Sequence, residues 1–408
     1  MPQETKNPTI FYGWFVVGAC FATTFTLGEA MWTFGIFFKP LENEFGWSRA
    51  VVSSGYTAFL VGYAISAIAN GRLADRYSPR PILFVSALLA GIGTSLCSQV
   101  HGINQLRIFL FIAGLGGGAT WSVPTSIVQR WFYQRQKAGL ALGIVVAGVG
   151  MGALAFAPLI NYLILSYGWR STYLIAGILY FIIIAISSLV IKSNPVKPKI
   201  TSAEEGALQK SVSIPIWTTA KAIFTSSFVG VAFVSATFIL TFQILVVHFV
   251  PHATDVGISP TVSAAAFGLL GGFSVPGRLM SGFIADRIRW QMTLALSCFG
   301  MGLSLLWVLF LNKAWMLYCF VSFYGICHGL RVPASVGILG EFFGMHSLGE
   351  LIGTVAAISM IIGAFAPYIV GFVFDLTGSY SVAFMLVMVL LLSSGIVAYA
   401  MKKPVALE

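Results

Sequence analysis

Residues 71–76 read Gly-Arg-Leu-Ala-Asp-Arg and residues 282–287 read Gly-Phe-Ile-Ala-Asp-Arg, each directly after an apolar stretch of membrane-crossing length. At the same spacing, to within two residues, Val123-Pro124 maps onto Val332-Pro333, Trp131-Phe132 onto Phe342-Phe343, Ala157-Pro158 onto Ala366-Pro367 and Gly168 onto Gly378. Apolar composition alone does not keep so many landmarks in register, so the chain reads as two copies of one unit. Each copy is built from helices that cross a bilayer. The 408 residues are 58% hydrophobic and only 9% charged, with a mean hydropathy of +0.89, whereas a soluble domain carries about 25% charge.

Stretches near the ~18 to 20 residues needed to cross a membrane recur along the whole chain. Six are expected in the first copy, at residues 11–38, 48–73, 81–100, 105–128, 138–165 and 171–191. Six more are expected in the second, at 219–247, 261–285, 292–311, 314–340, 348–374 and 381–401. The reading is therefore an all-α membrane protein of twelve transmembrane helices in two pseudo-symmetric six-helix bundles. Residues 1–191 form the first bundle, 192–217 a polar linker and 218–408 the second bundle.

A net charge of +10 raises the question of a nucleic-acid partner, and topology answers it. Arg72, Arg76, Arg80, Arg130, Arg135, Lys137, Lys192, Arg287 and Arg289 fall in alternate loops, while the opposite loops hold only Lys39, Arg49, Arg107, Arg170 and Lys313. The positive-inside rule assigns the richer set to the cytoplasm. Both termini are then cytoplasmic, the positive charge is topogenic, and the expected partner is the lipid bilayer, not nucleic acid. No removable signal segment precedes the first span, and short loops suggest a prokaryotic inner (plasma) membrane. The five cysteines lie in apolar stretches without paired spacing, so neither a disulfide framework nor a metal site is indicated. No cofactor motif is found. Gly148-Val-Gly150-Met-Gly152 imitates part of a dinucleotide fingerprint, but inside a span it reads as close helix packing. His248 and His252 stand four apart around Pro251 and read as a helix end and loop.

The segment from Gly71 to Arg80 resembles the signature loop of the major facilitator superfamily, which is built from two parallel six-helix halves with nested inverted repeats. That resemblance covers nearly the whole chain. It implies a transporter working by alternating access, with gating by Gly71, Asp75, Arg76, Arg80, Gly282, Asp286 and Arg287. Three patches are similar to the monocarboxylate transporter family and its oxalate/formate antiporter relatives: Tyr12-Gly13-Trp14, the run from Trp131 to Gly148, and His248 to Gly257.

Charges inside spans are costly, at least ~2.5 to 3.5 kcal/mol each, and mark pathways. Three stand out here: Glu29, Arg278 and Arg331. Arg278 lies about two turns before Asp286, hence ~12 Å into the membrane, and a guanidinium there can grip a carboxylate through two parallel hydrogen bonds. The resemblance makes it the substrate-carboxylate ligand of the eighth helix; the alternative is a structural ion pair with Glu29. Where proton-coupled relatives carry an acid one turn before that arginine, this chain has Ser274. Glu29 then becomes the candidate proton carrier or, alternatively, a packing residue. Trp121, Tyr324 and His328 match cavity-lining positions of the oxalate branch loosely, with helix packing as the alternative. Arg331 is either a second cation for substrate or a structural partner of Glu341, and the latter is favoured. The oxalate branch's lysine in the eleventh helix aligns with Ser359, and one central arginine suits one carboxylate.

These observations point to a small monocarboxylate such as lactate or pyruvate, carried with a proton by a chain that forms a complete pathway as a monomer. The alternative is an anion exchanger of the oxalate/formate type, and a non-transporting carboxylate receptor is a remote third. No nucleophile with a base is evident, so no enzyme is expected.

Overall fold

The computed structural model describes residues 11–132, 137–192, 219–344 and 348–404. Thirteen α-helices follow one another among the described residues. In the first half these are α1 (Gly13–Trp32), α2 (Phe34–Phe45), α3 (Arg49–Arg76), α4 (Pro79–Leu96), α5 (Ile103–Gly117), α6 (Ala119–Trp131) and α7 (Ala138–Val190). The second half has α8 (Thr219–Ala222), α9 (Ser226–Asp255), α10 (Pro260–Leu309), α11 (Ala314–Phe343), α12 (Leu348–Thr377) and α13 (Ser381–Ala400).

With its 53 residues and a rise of ~1.5 Å per residue, α7 is more than twice as long as a ~30 Å hydrocarbon core. It turns a corner at Gly168, whose φ of 78° favours glycine. The helix α10 turns at Arg289, where a φ of 71° is strained for a residue with a side chain. With α7 and α10 counted as two rods each, α1/α2 and α5/α6 as one broken rod each, and the four-residue α8 left out as too short to span, twelve crossings result. Nine helical stretches among the described residues are apolar and long enough to span. Residues 260–286 and α11 are not among them, and these carry Arg278 and Arg331. The outer surface is oily: Leu189, Leu279 and Phe310 are each about 70% exposed, as suits a surface that faces lipid.

Two sequence expectations are revised. The first span is not one helix but breaks at Thr33. The seventh continues through Pro251 to Asp255 where a helix end was expected, because each histidine ring bonds a carbonyl of a neighbouring helix: His248 Nε2 to Pro367 O at 2.8 Å and His252 Nε2 to Val308 O at 3.1 Å. No metal-holding cluster occurs among the described residues.

Glycines set how closely the rods pack. Gly148 and Gly152, one turn apart, face α1, and a Cβ on Gly152 would collide with the Phe25 carbonyl. Gly150 faces the other way, where a Cβ would lie 2.7 Å from Gly271 O on α10. The glycine-rich run thus joins α7 to α1 within the first half and to α10 across the halves. Gly152→Ala is expected to cost about 1–3 kcal/mol, seen as a lower thermal-unfolding midpoint in detergent. Gly143→Ala, whose Cβ meets nothing within 4 Å, should leave the midpoint unchanged or raise it.

Besides α7 against α10, the halves meet at α3 against α12 and α2 against α9. The expected 192–217 linker lies almost wholly outside the described residues.

Candidate functional site

The helices α10 and α11 pack backbone to backbone, Gly329 lying against the Ser274 carbonyl and the Arg278 amide. This contact places Arg278, Tyr324, His328 and Arg331 in one region. The Arg278 guanidinium reaches across to α7, with Nη1 donating to Val146 O at 2.7 Å, while its buried Nε has no partner. Arg331 is 4% exposed. Its Nη2 donates to Ser235 Oγ at 2.9 Å, its guanidinium carbon lies 3.9 Å from the Phe238 ring centroid, and its Nε is also unpartnered. Among the described residues neither arginine is ion-paired to a carboxylate, and the exposed Glu341 is not the partner expected for Arg331.

His328 sits within electrostatic reach of both guanidinium groups. Its ring is walled by Phe238 at 4.9 Å, Phe242 at 5.2 Å and Trp32 at 5.8 Å between centroids. His328 Nδ1 and the Tyr324 hydroxyl are buried without hydrogen-bond partners. Buried polar groups are normally satisfied, and these four unpartnered atoms, two of them on guanidinium groups, lie in one region; an anion is the ligand whose charge such a set would complement.

Ser274 and Trp121 are placed differently. The Ser274 hydroxyl donates to Gly271 O at 2.6 Å, its own helix, and packs at the crossing with Gly150. Trp121 is half-buried on α6, and among the described residues no ring contact joins it to His328. Glu29 is buried at 5% exposure inside the first bundle. Its nearest polar partner is Thr33 Oγ1, 3.4 Å from Oε1, so the ion pair with Arg278 does not form.

The proposed gating loop is described only in part, the surroundings of Gly71 and the side chains of Asp75, Arg76 and Asp286 lying outside the described residues. Arg80 donates to the carbonyls of Ile191 at 2.8 Å and Leu189 at 2.9 Å. Arg287 stacks over Phe283, and Gly282 has open space where a Cβ would stand.

Sequence reasoning passed over the other end of the bundle. There Arg49 Nη1 meets Asp255 at 2.6 Å, and Lys39 meets the same carboxylate at 2.6 Å. Glu42 contacts both cations. Asp375 receives the Arg49 and Ala50 amides at 2.9 Å each, and Tyr380 OH accepts from Arg49 and contacts His248 Nδ1. The positive-inside rule counts Lys39 and Arg49 only as minority charges, though Glu42 and Glu44 between them in sequence are a usable signal. Trp32, Phe238 and Phe242 carried none, since aromatic residues are common along these spans.

The family model for the Major Facilitator Superfamily matches residues 15–330. Among curated proteins, the chain is 24% identical to monocarboxylate transporter 13 of Rattus norvegicus, over 94% of this chain and 87% of the relative. It is 25% identical to monocarboxylate transporter 11 of Homo sapiens, over 97% and 84%. Among solved structures, a bacterial homologue of the human lysosomal transporter Spinster, in an inward-facing and unoccupied conformation, superposes with a TM-score of 0.72 at 16% identity, covering 96% of each chain. A D-xylose-proton symporter superposes at 0.73 and 13% identity, over 95% and 98%.

Proposed function

The chain belongs to the Major Facilitator Superfamily, and from that premise we propose that it carries a small monocarboxylate of the lactate or pyruvate kind, together with a proton, by alternating access. The observation that carries this reading is Arg278, a guanidinium deep in α10 that holds only a backbone carbonyl and keeps a buried Nε free. It lies on a helix pair that joins the halves, where a substrate bound to it feels their movement. In this reading Tyr324, His328 and the ring wall confine the substrate, and Ser274 and Trp121 border its path. The halves, 1–191 and 218–408, rock about this point. The basic loops face the cytoplasm with both termini, in a plasma (inner) membrane, so the Arg49–Asp255 end faces outside and is the closed one. Gly71, Asp75, Arg76, Arg80, Gly282, Asp286 and Arg287 form the opposite gate. One chain suffices as a monomer.

Glu29 is the proton carrier in this reading. A buried carboxyl with no cation beside it sheds its charge only by binding a proton. Uptake of labelled lactate and pyruvate into proteoliposomes, with and without an inward proton gradient, tests the whole proposal. Glu29→Gln is expected to cut gradient-driven accumulation by roughly tenfold or more while exchange of internal for external substrate stays within about threefold. Accumulation of neither acid would overturn the reading. A second reading, anion exchange that includes dicarboxylates, is favoured by Arg331, which has no carboxylate partner among the described residues and shares His328 with Arg278. Uptake stimulated by internal oxalate and indifferent to the proton gradient would select it.

A further inference from the structure

We infer that the break between α1 and α2 transmits the protonation of Glu29 to the substrate cavity, held across the two halves by the Tyr56 hydroxyl and the Gln243 amide. The inference rests on the reading of Glu29 as the proton carrier and deepens it by naming the residues through which that proton acts. Glu29 is far enough from Arg278 that no ion pair joins them, so a proton on one needs a mechanical path to the other.

The path begins one turn along from Glu29. The Thr33 amide donates to Glu29 O at 3.1 Å, and the single Thr33 hydroxyl proton has two acceptors: Glu29 O at 2.9 Å and Glu29 Oε1 at 3.4 Å. A carboxylate is the stronger acceptor, since charge-assisted hydrogen bonds are roughly twice as strong as neutral ones. An ionised Glu29 therefore draws the hydroxyl away from the backbone at the break. A protonated Glu29 returns it to the carbonyl and tightens the turn.

The break itself is tied to both halves. Tyr56 OH, from α3, lies 2.9 Å from Met31 O and 3.2 Å from Gln243 Oε1 on α9. The oxygen and nitrogen of an amide are interchangeable by rotation. With the amide turned, Gln243 donates to Tyr56 and Tyr56 donates to Met31, so each group is used once. Trp32, between Met31 and Thr33, faces the rings around His328. Its ring lies 4.8 Å from Phe242, 5.6 Å from Phe267 and 5.8 Å from His328. One short segment thus touches the carboxyl through Thr33, reaches Gln243 of the opposite half by way of Tyr56, and meets the rings around His328 through Trp32.

The surroundings of Glu29 suit a group that exchanges a proton. Glu29 lines two small hollows, about 10 and 30 Å³, and the larger has room for water. The titratable side chains facing it are Tyr56 from α3 and Tyr173 and Tyr180 from α7. Thr94 of α4 and Leu110 and Ala113 of α5 are among the other lining residues, and no Lys, Arg or His lines either hollow.

Two measurements test the inference. The first needs no substrate: hydrogen–deuterium exchange of residues 28–38 in lipid nanodiscs at pH 5.5 and 8, with labelling times scaled for intrinsic chemistry. Protection of this segment is expected to differ several-fold between the two pH values in the wild type and to become independent of pH in Glu29→Gln. Equal protection at both pH values in the wild type would overturn the inference. The second uses the liposome assay with whichever of lactate or pyruvate the wild type accumulates. Tyr56→Phe and Gln243→Met are expected to retain substrate exchange, which shows that they fold, and to lose gradient-driven accumulation by about tenfold, within the usual range of coupling between sites. Accumulation lost in Glu29→Gln but intact in both hinge variants would remove this inference and leave the proton carrier standing. Accumulation unaffected by Glu29→Gln would remove the carrier and the inference together.

Discussion

Arg278→Ala is expected to lower kcat/KM for lactate uptake by roughly 150- to 5,000-fold, the kinetic equivalent of about 3–5 kcal/mol for removing one partner of a buried charge pair. The size follows from what the substrate carboxylate loses: a preorganised fork of donors in a site walled by rings, where water cannot replace it. The same variant should not destabilise the fold. In the unliganded protein the guanidinium holds only Val146 O and leaves Nε unsatisfied, so its removal relieves an uncompensated buried charge. The thermal midpoint is expected to stay level or rise while uptake falls, and that divergence separates a binding residue from a structural one. Arg278→Lys keeps the charge and loses the planar fork; its uptake should lie between wild type and Arg278→Ala. Unchanged uptake in Arg278→Ala would transfer the site to Arg331, whose own alanine variant would then carry the loss.

That Arg278 lies inside a long helix was legible, because the apolar stretch from residue 261 runs unbroken to the repeated Gly282–Arg287 segment. Which groups surround it was not, because the rotation of each rod about its axis is set by packing. Gly28 seats α1 against Val149 O of α7, and that contact turns Glu29 into the first bundle, away from α10. The Arg331–Glu341 pairing failed for a reason that helix geometry supplies unaided. Ten residues along an α-helix are ~15 Å of rise and about 80° short of three turns, beyond what one side chain spans. The break at Thr33 carries no proline, and nothing local announces it. It is stabilised from outside, by Tyr56 on the Met31 carbonyl and by Gly35 seated on Val246 O of α9. The repeat, by contrast, is a property of the sequence itself, so the architecture it implied matches the helices observed.

Asp255→Asn is expected to loosen the end where Lys39 and Arg49 reach across to the second half. Among the described residues, the ion pairs that join the halves there both run through this one carboxylate, to Lys39 and to Arg49, whereas Glu42 binds the same two cations from their own half. Neutralising Asp255 removes both crossings yet leaves each cation an acid, so neither half is left with an uncompensated charge. The Arg49 side chain is only 6% exposed and that of Asp255 27%, which places the contribution above that of a surface pair and below that of a fully buried one, about 1–2 kcal/mol. A two-state equilibrium biased by that amount shifts roughly five- to thirtyfold. Spin labels at Asn43 and Val256, both exposed and in opposite halves, with the half-buried Cys319 replaced by serine, report the separation by pulsed electron resonance. The wild type should give a short distance as its main population, and Asp255→Asn should move a large fraction to a longer one. Asp375 supplies an internal control, since its carboxylate caps the α3 amides of Arg49 and Ala50 through a separate set of bonds. If Asp255→Asn leaves the distances unchanged and Asp375→Asn shifts them, the helix cap and not the ion-pair cluster holds this end shut.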